Sequence, residues 1–189
     1  MIFVDKIFVK NDFEKVKVVK GEFENCTFKG CDFSEFDMEG TLFNECRLIS
    51  CNLSLAKIKG SAFRVVEFKE CKLLGLIFES TNQNGFSVTF SDCFLSHSSF
   101  FGMRLKKIII RDSNMAEVDF TDCDLTGAIM QNCDFNGATF NNTNLENADF
   151  RSAKNFSINP LTNRIKGAHF SLPSVISLLE PFDIKIDNL

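Results

Sequence analysis

The chain has 189 residues, a formal net charge of −4 and 44% apolar residues, which suits one domain with a substantial core. It has no run of about 18 apolar residues that could span a bilayer. The N-terminal residues 1–20 mix lysines with acids and lack the apolar centre of a secretory signal. We therefore expect a cytoplasmic protein that does not bind membranes.

An apolar side chain recurs every five residues. Two runs, from Phe3 to Phe78 and from Phe90 to Phe150, contain 29 positions at this spacing, and all of them are apolar. Five is neither the period of a helix nor that of a strand, so the spacing indicates a stacked repeat. The chain has 23 Phe and neither Trp nor Tyr, which favours a core of uniform apolar wedges.

The residues around each of these positions, which we call the centre of its repeat, predict a coiled strand. The residue two before the centre is small and the residue between them is mostly polar, so the outer two face inward and the middle one outward. Seven of the ten glycines lie two residues after a centre, where a corner needs a positive φ. Strand and corner in alternation predict a β solenoid with a solid interior.

All eight cysteines occupy the small inward position two residues before a centre, which we call the slot. Ala56, Ser61 and Thr41 occupy slots of other repeats, so we interpret the cysteines as small structural side chains and not as metal ligands. We expect no metal and no cofactor. The cysteines are Cys26, Cys31, Cys46, Cys51, Cys71, Cys93, Cys123 and Cys133.

The spacing slips by two residues between Phe78 and Phe90. Residues 79–89 begin with a polar, turn-forming stretch, so a bulge or small loop is expected to leave the rod there. Two interpretations remain open: a tolerated insertion in a surface corner, or a projecting element that contacts a partner. The candidate contact residues are Ser80, Thr81, Asn82, Gln83 and Asn84.

Residues 151–189 follow the repeat region 1–150 and predict a linker, a helix and a strand. Ser171 is a candidate N-cap with Pro173 in the first turn, Pro181 would end the helix, and residues 182–186 alternate like a strand. This segment either caps a monomer or forms a two-fold interface. The candidate interface residues are Phe170, Leu172, Val175, Ile176, Leu178, Leu179, Phe182, Ile184 and Ile186.

Several repeats match the motif A(D/N)LXX: residues 26–30 read CTFKG, residues 123–127 read CDLTG and residues 148–150 read ADF. The chain therefore resembles the pentapeptide-repeat family. Its tail, with the linker 159–165, a Leu-Leu helix and an Ile-Lys-Ile end, resembles the Qnr-type quinolone-resistance and microcin B17 immunity group. The resemblance implies a right-handed quadrilateral β-helix, a dimer through residues 151–189, and binding to type II topoisomerases, DNA gyrase or topoisomerase IV.

Charge is unevenly distributed along the repeats. No Lys or Arg occurs between Asp112 and Phe150, whereas eight acids do. A negative rod is suited to the positively charged surface that holds DNA, so we predict a DNA mimic that protects a topoisomerase from a toxin or a quinolone. The alternative is that Asp is simply favoured between the inward positions. The acids are Asp112, Glu117, Asp119, Asp122, Asp124, Asp134, Glu146 and Asp149.

Catalysis and direct nucleic-acid binding are not expected. The chain has only two histidines, His97 and His169, and neither lies in a catalytic pattern with Ser or Cys, so we predict that the chain is not an enzyme. A basic patch lacks the interleaved aromatic residues of a nucleic-acid platform and is expected to pair with neighbouring acids. The remaining functional alternative is a structural or adaptor solenoid with an unrelated partner. The patch comprises Arg104, Lys106, Lys107 and Arg111.

Overall fold

The computed structural model describes residues 1–13 and 20–185. Within these ranges the chain forms short parallel strands that stack into a solenoid, as the five-residue spacing predicts. No helix in this part of the chain is long and apolar enough to cross a membrane. The strands are β1 (Ile2–Val4), β2 (Ile7–Val9), β3 (Glu22–Glu24), β4 (Thr27–Lys29), β5 (Leu42–Asn44), β6 (Arg47–Ile49), β7 (Ala62–Arg64), β8 (Val66–Lys69), β9 (Val88–Ser91), β10 (Ile109–Arg111) and β11 (Ile129–Gln131).

Each turn of the solenoid has four faces, which the chain visits in the order A, B, C and D. Face A begins with the sheet β1-β3-β5-β7, and face B is the sheet β2-β4-β6-β8-β9-β10-β11, whose seven strands are separated by six turns. On faces C and D, neighbouring turns are joined by single parallel bridges. The bridges of face C run from Asp32 to Lys154. Those of face D join Asp37 to Lys57 and run from Ile77 to Thr139. Residues 20 apart, or 22 apart across the slip, therefore lie above one another on one face.

The centres stack in register and fill the interior with aromatic rings. Phe28 lies opposite Leu48 on face B, and Phe43 lies opposite Phe63 on face A with the rings 5.3 Å apart and 2° from parallel. On face D, Phe100 stacks on Phe78 at 4.5 Å and on Phe120 at 5.4 Å. These side chains are buried, so the solid interior predicted from the spacing is confirmed.

The corners have the left-handed backbone conformation that the glycine positions predict. Gly30 and Gly127 have φ of 61° and 67°. Other residues occupy the same corner position, and the β-branched Val65 is held at φ 53°, which L-residues adopt at a cost. Asp at the outward position supports the turn, because Asp119 Oδ1 accepts a hydrogen bond from the backbone N–H of Thr121 at 2.8 Å.

The slot selects hydrogen-bond donors as well as small side chains. Ser61 Oγ donates to the carbonyl oxygen of Met38 at 2.6 Å, and Thr143 Oγ1 donates to that of Phe120 at 2.8 Å. The thiol of Cys46 donates to the carbonyl oxygen of Phe23 at 3.3 Å. In each case the acceptor is the centre 23 residues earlier. Thr, Ser and Cys are therefore suited to the slot because each satisfies a carbonyl in the preceding turn.

The register slip forms a compact insertion on face A. A 3₁₀ helix, Phe78–Ser80, leads into it, and the loop replaces the face A strand that would follow β7. The backbone N–H groups of Asn82 and Ser87 donate to Ser61 and Phe63, the same turn that a regular strand would contact. The extra residues therefore bulge outward between two fixed ends.

The C-terminal segment differs from its sequence prediction. The helix is a 3₁₀ helix, Ser174–Phe182, that contains Pro181 and is preceded by Pro173, so Ser171 as N-cap and Pro181 as terminator were wrong. The i→i+3 hydrogen bonds of a 3₁₀ helix have poorer geometry than those of an α-helix, so the missing N–H of Pro181 removes one weak bond. Residues 182–185 form no strand, because Asp183 turns left-handed at φ 48° and no strand of the described chain pairs beyond it.

Candidate protein-binding face

The eight acids predicted as a partner surface lie on all four faces of the rod. Asp124 and Glu146 point outward from face A, Asp149 from face B and Asp134 from face C. Asp112 lies at the corner between faces B and C, and the other three lie on face D or at its corners. A stretch of 38 residues wraps almost twice around a 20-residue turn, so these acids cannot form one continuous stripe.

Four of these acids are neutralised by basic side chains. Lys106 Nζ lies 3.3 Å from Asp124, Lys154 Nζ lies 3.5 Å from Asp134, and Arg151 and Arg164 pair with Asp149 and Glu146 at 2.7 and 3.0 Å. Lys106 belongs to the basic patch that was expected to pair with neighbouring acids. Lys154 and Arg164 follow the base-free stretch in sequence but lie beside it in space, because one turn brings residues 18 to 20 apart together. Arg151 is only two residues from Asp149.

Of the eight acids, four have no Lys or Arg partner in the described chain, and three of these four lie on face D or at its corners. Asp119 points outward from it, Asp122 lies at its corner with face A, and Glu117 lies at its corner with face C. Glu117 contacts only His97 Nδ1, at 3.1 Å. We define the acidic face as the outward-pointing side chains within residues 77–80, 99–102, 117–122 and 139–142. They include Glu79 and no Lys or Arg.

The candidate loop residues divide between internal and exposed positions. Thr81 is buried and donates through Oγ1 to the carbonyl oxygen of Phe78 at 2.6 Å, and Ser80 Oγ donates to that of Ile77. Asn82, Gln83 and Asn84 are exposed. Both interpretations of the loop therefore remain open, with the contact surface reduced to these last three residues.

A groove beside this loop was not singled out from the sequence. It has a volume of about 490 Å³ and is lined by Glu79, Gln83 and Asn84 on one side and by residues 101–104 on the other. The 22-residue register across the slip was the signal that could have found it. Because Ile77 pairs with Ser99, Glu79 faces Phe101 in the next turn.

The candidate dimer residues separate into two groups. Leu178 is buried, and Phe170 and Val175 pack against the core, so these three close the end of the rod. The other side chains within the described ranges are exposed, whereas Ile186 lies outside those ranges. The exposed residues are Leu172, Ile176, Leu179, Phe182 and Ile184.

Burial keeps three of the cysteine thiols, those of Cys46, Cys123 and Cys133, protonated inside the rod. Burial raises the pKa of Cys46 to about 11 and those of Cys123 and Cys133 to about 12. A protonated thiol is a poor nucleophile and a poor metal ligand. Among the described residues, no group of three or more His, Cys, Asp or Glu side chains is arranged to hold a metal ion.

A family model described as pentapeptide repeats matches the chain in eight copies, over residues 22–60 and 119–154. Residues 22–60 and 119–154 are pentapeptide repeats, and the fold of the chain is the β-solenoid that such repeats form. This fold is typically a protein-interaction scaffold without catalytic activity. No curated protein matches the sequence.

Solved structures of other proteins resemble the fold of this chain. Full-length QnrB1, described as a plasmid-mediated fluoroquinolone resistance protein, is 15% identical, covers 97% of this chain and 100% of its own, and has a TM-score of 0.50. HetL, described as involved in heterocyst differentiation regulation in the cyanobacterium Nostoc, is 13% identical, covers 91% of this chain and 85% of its own, and has a TM-score of 0.49. At these identities the similarity shows the fold alone.

Proposed function

We propose that this protein is not an enzyme, that it binds a type II topoisomerase, DNA gyrase or topoisomerase IV, as a DNA mimic, and that it protects the enzyme from a toxin or a quinolone. The acidic face carries the proposal. Glu117, Asp119 and Asp122 lie on one side of a rigid rod, without the Lys or Arg partners that Asp124, Asp134, Glu146 and Asp149 have. An unneutralised negative surface attracts a positively charged DNA-binding site over a range set by salt.

Rigidity supports the same proposal. The aromatic stack beneath the acidic face, Phe78, Phe100 and Phe120, is fully buried, so the outward carboxylates stand on a fixed backbone. Asp119 is further held by the hydrogen bond that it accepts from Thr121. Charges fixed in advance lose little conformational entropy on binding.

We also propose that the protein forms a homodimer through its C-terminal segment. The exposed residues Leu172, Ile176 and Phe182 extend beyond the residues that close the rod, and contiguous apolar surface of this kind is typical of interfaces. Leu179→Glu should produce a monomer by light scattering without loss of fold, because Leu179 is exposed. Leu178→Glu, in the adjacent buried position, should instead destabilise the cap. A Leu179→Glu protein that remains a dimer would overturn this interface.

A gyrase supercoiling assay tests the function directly. Purified protein is added to gyrase and relaxed plasmid, with and without ciprofloxacin or microcin B17. The proposal expects a change in supercoiling or a rescue from the inhibitor at micromolar protein or below. No effect in either arm would refute topoisomerase binding and favour a structural or adaptor solenoid with a different partner.

A further inference from the structure

The ladder of parallel strands on face A is interrupted at the register slip. Within the described chain, its N-terminal part ends at β7, and its C-terminal part begins at Arg104, which pairs only with Asp124. The other faces continue across the slip, since Ile77 bridges Ser99 on face D and β8 pairs with β9 on face B. The turn that contains Arg104 therefore has an open edge on face A, which we call the slip edge.

Four backbone groups of the slip edge have no hydrogen-bond partner in the described chain. They are the N–H and C=O groups of Arg104 and of Lys106, which are both exposed residues. One turn later, the N–H of Asp124 donates to the carbonyl of Met103 at 2.9 Å, and the carbonyl of Asp124 accepts from Leu105 at 2.8 Å. The missing strand would have made the corresponding bonds to Arg104.

Arg104 also lacks the side chain that closes this turn in the later repeats of face A. At the same outward position, Oδ1 of Asp124 and of Asn144 accepts the backbone N–H two residues later, at 3.2 and 3.1 Å. Arginine has no acceptor, so the N–H of Lys106 is left for another partner.

The loop that replaces the missing strand is attached to the preceding turn and not to the slip edge. Its two ends, Asn82 and Ser87, donate to that turn, and the carbonyl of Asn84 accepts from Arg64 Nε at 3.4 Å. Between the loop and the slip edge lie two grooves of about 490 and 260 Å³, and Arg104 lines both. The grooves leave space for added chain along the edge.

The side chains along the slip edge are basic. Arg104 and Lys107 line the grooves and have no ion pair with an acid of the described chain, whereas Lys106 lies 3.3 Å from Asp124. An occupant that bears carboxylates would therefore meet two cations that are not already neutralised.

We propose that the slip edge binds a short, extended, acidic segment of a protein partner by β-strand addition. The backbone of the segment would pair with the four free groups of Arg104 and Lys106, and its carboxylates would lie against Arg104 and Lys107. The proposal goes beyond topoisomerase binding, because this site lies on face A and selects the charge opposite to that which the acidic face selects.

Hydrogen exchange of the free protein tests whether the edge is open. The amide of Arg104 should exchange much faster than that of Asp124, which occupies the same position one turn later and is hydrogen-bonded. Equal protection of the two amides would overturn the proposal, because the chain itself would then cover the edge.

Titration with the peptide acetyl-Glu-Ala-Glu-Ala-Glu-amide tests the occupant without a topoisomerase. The peptide should shift the ¹H–¹⁵N signals of residues 104–107 and slow exchange of the Arg104 amide, whereas acetyl-Lys-Ala-Lys-Ala-Lys-amide should not. An added strand pairs through every second residue. Of two peptides, one N-methylated at both alanines and one at the second and third glutamates, only one should therefore lose binding.

The charge contribution is measured with two double variants of equal net charge. Arg104→Gln with Lys107→Gln should raise the Kd of the peptide roughly 2- to 30-fold. Lys72→Gln with Arg111→Gln should leave it unchanged, because these exposed cations lie on faces C and B and line neither groove.

Three results would overturn the proposal. Equal losses with both N-methylated peptides would mean that the backbone does not pair, and equal effects of the two double variants would mean that the peptide follows net charge. The same shifts at residues 104–107 on concentrating the protein alone would assign the edge to a second copy of the chain.

Discussion

Removal of the charge on the acidic face should weaken topoisomerase binding much more than the same charge change elsewhere. The substitutions Glu117→Gln, Asp119→Asn and Asp122→Asn remove three carboxylates without a Lys or Arg partner in the described chain and change the net charge from −4 to −1. Each exposed contact with a basic partner is worth roughly 0.2–1 kcal/mol. The triple variant should therefore lose about 0.6–3 kcal/mol, which is roughly a 3- to 150-fold increase in Kd.

The control variant replaces Asp124, Asp134 and Asp149 by Asn and reaches the same net charge. These three carboxylates point outward from faces A, C and B and already contact Lys106, Lys154 and Arg151, so a partner bound to face D does not pair with them directly. Asn preserves the turn in both variants, since Asn at the same outward position accepts the same backbone hydrogen bond in other repeats.

Binding to purified gyrase at several salt concentrations distinguishes the two variants. Surface plasmon resonance should give the larger Kd and the shallower salt dependence for the acidic-face variant. Equal losses would mean that net charge and not this face determines binding. An unchanged Kd in the acidic-face variant would refute the DNA-mimic interpretation.

Three further predictions concern the scaffold. Val65→Gly should stabilise the protein by about 1 kcal/mol in urea unfolding, because it relieves a β-branched residue at φ 53°; a loss of stability would contradict this. Phe100→Ala should cost about 3–5 kcal/mol, whereas its exposed neighbour Phe101→Ala should cost far less, and similar urea midpoints would show that the stacked core is not limiting. The hydrogen bond from Arg151 holds the pKa of Asp149 below its ordinary value, so Asp149→Asn should be less stable than the wild type at pH 7. The difference should shrink as acid protonates the wild-type carboxylate; a difference that does not change with falling pH would contradict the assignment.

The fold could be predicted because each repeat contains the residue types that its strand and its corner require. The same residue types recur at the same positions: centres such as Phe28 and Leu125, Cys or Ala in the slot, and Gly30 or Gly127 at a corner. Chance does not produce so regular a recurrence. The hydrogen-bonding role of the slot could not be inferred, because Ala56 and Ala128 occupy it without a donor. Only the structure shows that Ser61 and Thr143 also satisfy a carbonyl of the preceding turn.

The candidate site was less predictable because it depends on contacts between turns. The sequence places Asp124 in a base-free stretch, but Lys106, one turn earlier, lies 3.3 Å from it. The C-terminal segment lies outside the repeat, and its local signals left the helix type open. Pro181 is compatible with a 3₁₀ helix, so it did not end the helix there.

A surface on this rod is defined by columns of residues 20 or 22 apart, and not by stretches of sequence. One such column contains Glu39, Lys59, Glu79, Phe101 and Thr121. Its residues have mixed charge before the slip, and at the slip Glu79 and Phe101 make it acidic and aromatic. Below the slip, no column of the acidic face contains Lys or Arg, whereas faces A, B and C regain cations through Arg164, Arg151 and Lys154. A long cationic partner that approaches the rod would therefore meet uninterrupted acceptors only along face D. Within that face, the slip forms a groove in which Glu79 lies near the exposed ring of Phe101.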